Sequence, residues 1–311
     1  FDGLDFFMSE LAKRDMHAVL YLHNTWEWSG GYAQYLNWAG YGPVPVPSVA
    51  GWDAFKDYVS KYFECDSCQQ IFKNHITTVL SRTNFYNKRK YTEDPAILSW
   101  QIANEPRPMG AGNKDAYAAW IKDIAAHIKS LDKNHLVSTG SEGEAGSEED
   151  FDLYARVHAD PNIDYLTMHI WPKNWGWLDS KDIPGTLNRA IENTAAYMDK
   201  HIALADSLRK PITLEEFGMP RDSHKYELSD PTTSRDTYYS YIFERVLESV
   251  RTNGTLAGCN FWAWGGFAGQ NPDHVFWEKG DDYTGDPAQE QQGLNSVFAT
   301  DSTIEIIKAE N

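Results

Sequence analysis

The stretch "ILSWQIANEPRPMG", Ile97–Gly110, decides how the chain is read. Ile97–Ala103 is an apolar, strand-like run that stops abruptly at Asn104, Glu105 and Pro106. Asn and Pro favour turns, so one reading is a plain turn. The other is a functional carboxylate held at the mouth of a strand. Whether other strands end in the same way separates the two.

They do. Strand-like runs recur at His17–Asn24, Ile97–Glu105, Leu136–Gly143, Tyr165–Trp171, Ile212–Gly218 and Ala257–Gly266. Helix-like stretches lie between them: Asp53–Phe63, Gln69–Leu80, Tyr117–Leu131, Leu187–Arg209 and Arg235–Arg251. In the third of these Trp120, Ile121, Ile124 and Ile128 fall at helical spacing. Alternating strand and helix predicts a parallel sheet with helices outside. Nearly every run ends in polar or aromatic residues: His23-Asn24, Asn104-Glu105, His169–Trp171, Glu215-Glu216 and Trp262–Trp264. The C-terminal strand ends of a (β/α)8 barrel carry its chemistry, so an α/β fold of the (β/α)8 TIM-barrel class ranks above a doubly wound sheet. Residues 1–311 then form a single catalytic barrel domain holding strands three to eight. The chain opens in a helix-like segment, Leu4–Lys13, so the first two βα units are expected outside it, in roughly 60 to 90 preceding residues.

Composition narrows the partners. A net charge of −17 disfavours nucleic acid and anionic membranes and suits a neutral substrate. No run reaches the roughly 20 apolar residues of a membrane span. Twelve Trp, seventeen Tyr and fourteen Phe exceed what a core needs. Cys65 and Cys68 form one C-x-x-C, which without a second pair reads as a local disulfide or two thiols, not a zinc ribbon. Cys259 reads as a core residue. There is no H-E-x-x-H, G-x-S-x-G or phosphate-cradling loop, so no metal or cofactor is called for. Most of the ten scattered His residues read as surface or capping groups; His169, on its strand end beside Trp171, is the exception. "GYGPVPVP", Gly40–Pro47, reads as a stiff loop wall. Asn253-Gly254-Thr255 is a lone sequon.

Two glutamates stand out as a pair. Neighbouring strand residues face opposite ways, so only one of Glu215 and Glu216 points into the mouth. Glu216, beside Phe217-Gly218, takes the active role, and Glu215 a supporting or outward one. Glu105 and Glu216 from two strand ends suit glycoside hydrolysis, one protonated and one ionised; retention of configuration requires a separation of about 5 Å. Trp26, Trp28, Trp171, Trp175, Trp177, Trp262 and Trp264 at strand ends offer flat faces on which sugar rings can stack.

With "NEPR", "HIWP", "LEEFG" and "FWAWGG" in this order, and with "YTEDPAILSWQIANEPR" and "GDPAQEQQGLNSVF", the chain resembles glycoside hydrolase family 5, endo-β-1,4-mannanase branch, over nearly all of Phe1–Asn311. The resemblance implies a retaining enzyme that cuts internal bonds of mannan, glucomannan or galactomannan. Glu105 would be the acid/base and Glu216 the nucleophile. Asn104 would bond the sugar 2-hydroxyl, Trp262 would lie under that sugar, His169 would hold the surroundings, and Arg107 would reach the leaving-group side. Asn24 and Trp26 would line the glycone side. Two departures stand against the pattern. Trp171 occupies the position of a family Tyr, and an indole N–H donates but cannot accept as a phenol does. The family Arg beside the nucleophile belongs to a strand outside this chain. The expected protein is secreted (extracellular, periplasmic or on the cell surface), and monomeric once its N-terminal segment is present. The alternatives are another β-glycanase such as an endoglucanase, or a non-catalytic carbohydrate-binding protein that keeps the Trp rim.

Overall fold

The computed structural model describes residues 1–309, and the chain divides into two compact units, Phe1–Thr167 and Met168–Asn311. The first unit holds helices α1 (Asp2–Ala12), α2 (Gly31–Trp38), α3 (Pro47–Ala50), α4 (Trp52–Val59), α5 (Asp66–Leu80), α6 (Lys114–Leu131) and α7 (Phe151–His158). Its strands β1 (Ala18–Tyr21), β2 (Ile97–Gln101) and β3 (Leu136–Ser138) pair in parallel in that order. The expected alternation of strand and helix therefore holds. On α6, Tyr117, Trp120, Ile121, Ile124, Ala125 and Ile128 form a buried stripe, because residues three and four apart share a helix face. Those side chains join Phe55, Tyr62, Phe72, Ile76, Trp100 and Val137 in one core.

The ladder continues past the strand ends, and this positions the chemistry. Leu22 N–H donates to Gln101 O at 2.9 Å, Asn104 N–H to His23 O at 2.9 Å, and Thr25 N–H to Asn104 O at 3.2 Å. On the other side Ile102, Ala103 and Glu105 donate to Ser138, Thr139 and Gly140 carbonyls. Asn104 and Glu105 are thus clamped between two neighbours.

The second unit holds β4 (Leu166–Ile170, its first two residues in the preceding unit), α8 (Ile183–Leu208), β5 (Ile212–Phe217), α9 (Thr233–Thr252), β6 (Leu256–Cys259), β7 (Trp264–Gly266), β8 (Val297–Phe298) and α10 (Thr303–Ala309). The sheet order is β4-β5-β6, and β7 pairs with β8. Asp182 caps α8 by accepting from Gly185 N–H at 3.0 Å, with Pro184 in the first turn.

Several sequence expectations are corrected. Ala257–Gly266 is two short strands, β6 and β7, and β7 takes β8 as a partner that sequence reading missed, so the described residues carry eight strands in place of six. Helices α2 and α7 were also missed. Of the nine histidines other than His169, four (His23, His135, His158 and His201) are buried and not surface groups. The "GYGPVPVP" segment ends by starting α3 at Pro47, the helical position where a missing N–H costs least. Cys65 and Cys68 form a disulfide at the start of α5, which settles that alternative. Cys259 is only partly buried, yet desolvation still pushes its thiol up to about 12.

Candidate active site

In the first unit, Glu105 ends the β2 run in a left-handed conformation, φ 49°. This is rare for a residue with a Cβ and marks stored backbone strain of order 1–3 kcal/mol. The strain is held by the flanking ladder. Gly140 makes that possible: a Cβ there would lie 1.9 Å from Ala103 O and 2.2 Å from Gln101 Nε2. Only glycine lets the β3 end approach so closely, and Gly140 O receives the Glu105 N–H at 3.0 Å.

Around Glu105 the expected residues gather. Trp26 donates its indole N–H to Glu105 Oε2 at 2.5 Å. Asn104 Nδ2 donates to Asn24 Oδ1 at 3.3 Å, and the same oxygen accepts Trp26 N–H at 3.1 Å. Asn24 Nδ2 in turn donates to Ser29 Oγ at 2.6 Å. Asn24 is buried, so in this unit it acts as a strut that sets the entry of Trp26. Arg107 lies over the Trp26 ring, 5.2 Å from its centroid. Its guanidinium is gripped by Glu142, Nε to Oε2 at 2.6 Å and Nη2 to Oε1 at 2.7 Å. Burial opposes that charge, but Glu142 foremost, then Glu105 and Glu148, raise the Arg107 pKa above its ordinary value. Behind the β1 end, burial foremost, with the charge of His75, lowers His23 to about 3, so the imidazole is neutral where it meets Tyr62 Oη at 2.9 Å.

Two residues here were missed in the sequence. Glu142 sits at the end of the β3 run in "GSEGE", which looks like a polar loop; its place just past a strand end was the available signal. Trp52, on α4, stands edge-on to Trp26 with ring centroids 5.9 Å apart and is 53% exposed. Its signal was only the aromatic surplus.

In the second unit, β4 carries His169 and β5 carries Glu216. His169 Nδ1 lies 3.3 Å from Glu216 Oε2, and Glu216 keeps 14% side-chain exposure while His169 is buried. Glu215, on the opposite face of β5, is buried, and its Oε1 accepts from Thr213 Oγ1 at 3.3 Å. Trp262 follows β6, where its N–H donates to Phe217 O at 2.8 Å, and this carries it alongside the β5 end. Trp171 meets Trp262 edge-on at 6.5 Å, and a Cβ at Gly218 would lie 2.6 Å from the Trp171 ring. Trp175 and Trp177 pack on each other and on Tyr197 of α8. Each of the two clusters brings a strand-end glutamate together with a hydrogen-bonding partner and an indole.

The whole chain, residues 1–311, matches the family model for glycoside hydrolase family 5 β-mannosidase-like proteins. It is 33% identical over 277 residues to mannan endo-1,4-beta-mannosidase 7 of Arabidopsis thaliana, covering 84% of this chain and 59% of that protein. It is 32% identical over 276 residues to mannan endo-1,4-beta-mannosidase 1 of Oryza sativa subsp. japonica, with the same coverage. It thus spans about three fifths of the length of the curated relatives it matches. Among solved structures it is similar to a glycoside hydrolase family 5 mannosidase from Rhizomucor miehei, with TM-score 0.88, 36% identity, and coverage of 100% of this chain and 74% of that one. An endo-beta-1,4-mannanase from Thermotoga petrophila shares the fold, with TM-score 0.70 and 21% identity over 99% of this chain and 60% of that one. The fold class is accordingly α/β, of the (β/α)8 kind. The chain belongs to the glycoside hydrolase family 5 β-mannosidase-like family.

Proposed function

We propose that this chain is the catalytic part of a retaining β-1,4-mannan hydrolase, acting on internal bonds of mannan, glucomannan or galactomannan. The observation that carries the reading is the pair of strand-end glutamates, each with its own partner: Trp26 on Glu105 and His169 on Glu216. Family membership gives that pair a substrate class.

In the first step the Glu216 carboxylate bonds to the anomeric carbon as the bond to the leaving oxygen breaks. Glu105 gives that oxygen its proton. In the second step Glu105 takes a proton from water, the water oxygen bonds to the anomeric carbon, and Glu216 is released. Asn104 reads the 2-hydroxyl, and Trp262, with Trp171 at its edge, lies beneath the ring. Arg107 and Asn24 steady the acid/base side. The Cys65–Cys68 disulfide supports a secreted or cell-surface place, because thiols in the cytosol are kept reduced. Among the described residues no helix is long and apolar enough to cross a membrane.

Reducing-sugar release tests the reading. Turnover is expected on mannan and not on carboxymethyl-cellulose. Glu216→Ala should abolish it while mannan binding survives, and product NMR should show retained anomers. Turnover of the cellulose derivative alone would point to an endoglucanase, and binding without turnover to a carbohydrate-binding protein.

A second reading has its own support, since the similar Rhizomucor miehei structure is that of a mannosidase while the curated relatives are endo-enzymes. An exo-acting enzyme would release mannose from mannohexaose from the first time point. An endo-acting one would give mid-length products first.

A further inference from the structure

We infer that Glu142 is a positioning residue for Glu105, acting through Arg107 and Trp26. The inference rests on the reading of Glu105 as the acid/base.

The chain of contacts is short and lies within one unit. Glu142 is 2% exposed and takes two guanidinium N–H groups of Arg107 in fork geometry. It is itself packed in place: a Cβ at Gly146 would lie 3.2 Å from Glu142 Cβ. Arg107 covers one face of the Trp26 ring, and Trp52 meets that ring edge-on. The indole has a single N–H donor, and it is spent on Glu105 Oε2. Moving Arg107 frees the ring, and a freed ring releases the carboxyl it holds.

Arg107 also sits two residues after Glu105 on a strained segment. Glu105, Met109 and Gly110 all have positive φ, and Glu148 Oε1 holds the Gly110 N–H at 2.6 Å. The Glu142 clamp therefore fixes both the residue stacked on Trp26 and the backbone that follows Glu105.

Charge makes the same point independently. Arg107 is largely withdrawn from solvent and is attracted to Glu142, Glu105 and Glu148. With Glu142 ionised, the guanidinium has its own counter-ion. With Glu142 neutralised, that fork is lost and the guanidinium is free to leave the Trp26 ring. Glu142 thus acts on a residue it does not itself hold: it fixes Arg107, and through Arg107 it keeps the indole aimed at Glu105.

The consequence is specific to acid catalysis. A leaving group that departs readily needs no proton, whereas a sugar hydroxyl does. The experiment compares kcat/KM of the intact protein and of Glu142→Gln on 2,4-dinitrophenyl β-mannoside and on mannotriose. Roughly 10- to 100-fold loss is expected on mannotriose, the scale seen when an outer partner of a site group is removed. On the dinitrophenyl substrate less than about three-fold loss is expected, since its glycosylation step draws nothing from the acid. Glu142→Asp, which keeps the charge on a shorter arm, should restore part of the mannotriose activity. Equal losses on both substrates would mean that Glu142 only supports the fold, and would overturn the inference. If Glu142→Gln does not fold, Glu142→Asp carries the same comparison with a smaller split, and equal losses there overturn it too. A wild-type protein inactive on both mannosides would instead remove the acid/base reading, and the inference with it.

Discussion

Gly140 and Glu105 show how one residue's freedom serves another's constraint. The left-handed φ at Glu105 survives because Gly140 admits the neighbouring strand to van der Waals limits. Gly140 itself has φ 79°, so Gly140→Ala adds both a clash with Ala103 O and backbone strain. About 3 kcal/mol of destabilisation is expected, read as a lowered melting temperature, together with loss of activity out of proportion to the loss of fold at low temperature. A variant with unchanged melting and activity would show that the close approach is not needed. Strand phase makes a second prediction: Glu215→Gln should retain more activity than Glu216→Ala in a mannan assay, and the reverse order would invert the assignment of faces. At this scale the strand-end positions of Glu105, Glu216, Asn104 and His169 were legible because each interrupts an apolar run. Glu142 and Trp52 were not. A carboxylate among Gly, Ser and Glu has no apolar contrast to mark it, and a Trp at a helix start looks like any amphipathic residue.

At the scale of elements, α1 is tied to the segment before β2 by one buried carboxylate. Asp5 accepts from Arg82 Nε at 2.7 Å and Nη2 at 2.5 Å, from Tyr91 Oη at 2.7 Å and from Phe85 N–H at 3.0 Å. Burial alone would raise its pKa; the hydrogen bonds from Arg82, Tyr91 and Phe85 outweigh that and lower it from 3.8 to about 2. A depressed carboxylate stabilises the fold above its unfolded value, and that contribution is lost as pH falls from about 4 through about 2. Asp5→Asn should therefore cost about 2 kcal/mol near neutrality and flatten the acid limb of stability against pH. Denaturant midpoints from pH 2.5 to 7 check this, and parallel acid limbs would count against the tether. Elements were legible where periodicity was long, as on α6 with its buried stripe from Tyr117 to Ile128. They were not where the signal is local. Helix α2 opens on Gly31 and mixes Tyr, Leu and Trp with polar residues. Strand β8 is two residues long, and Ala257–Gly266 divides between two short strands, β6 and β7. No hydropathy pattern encodes either.

For the whole molecule the governing quantity is charge, −17 over 311 residues. Such a chain repels polyanions at long range, and the repulsion weakens as salt shortens the screening length from about 30 Å at 0.01 M to about 10 Å at 0.1 M. Mannan carries no charge, so its capture should depend on aromatic stacking and hydroxyl hydrogen bonds, which salt at these levels leaves nearly untouched. Carboxymethylated mannan offers the same backbone with negative charge added. The two substrates therefore separate recognition by chemistry from recognition by field. Between about 20 and about 200 mM NaCl, kcat/KM on neutral mannan should change less than about two-fold, while on the carboxymethylated polymer it should rise with salt. Steady-state rates at matched pH make the comparison. A steep salt dependence on the neutral polymer would mean that ionic groups at the binding surface set capture. The neutral-substrate reading drawn from the acidic composition would then fail, even with Glu105 and Glu216 in their assigned roles.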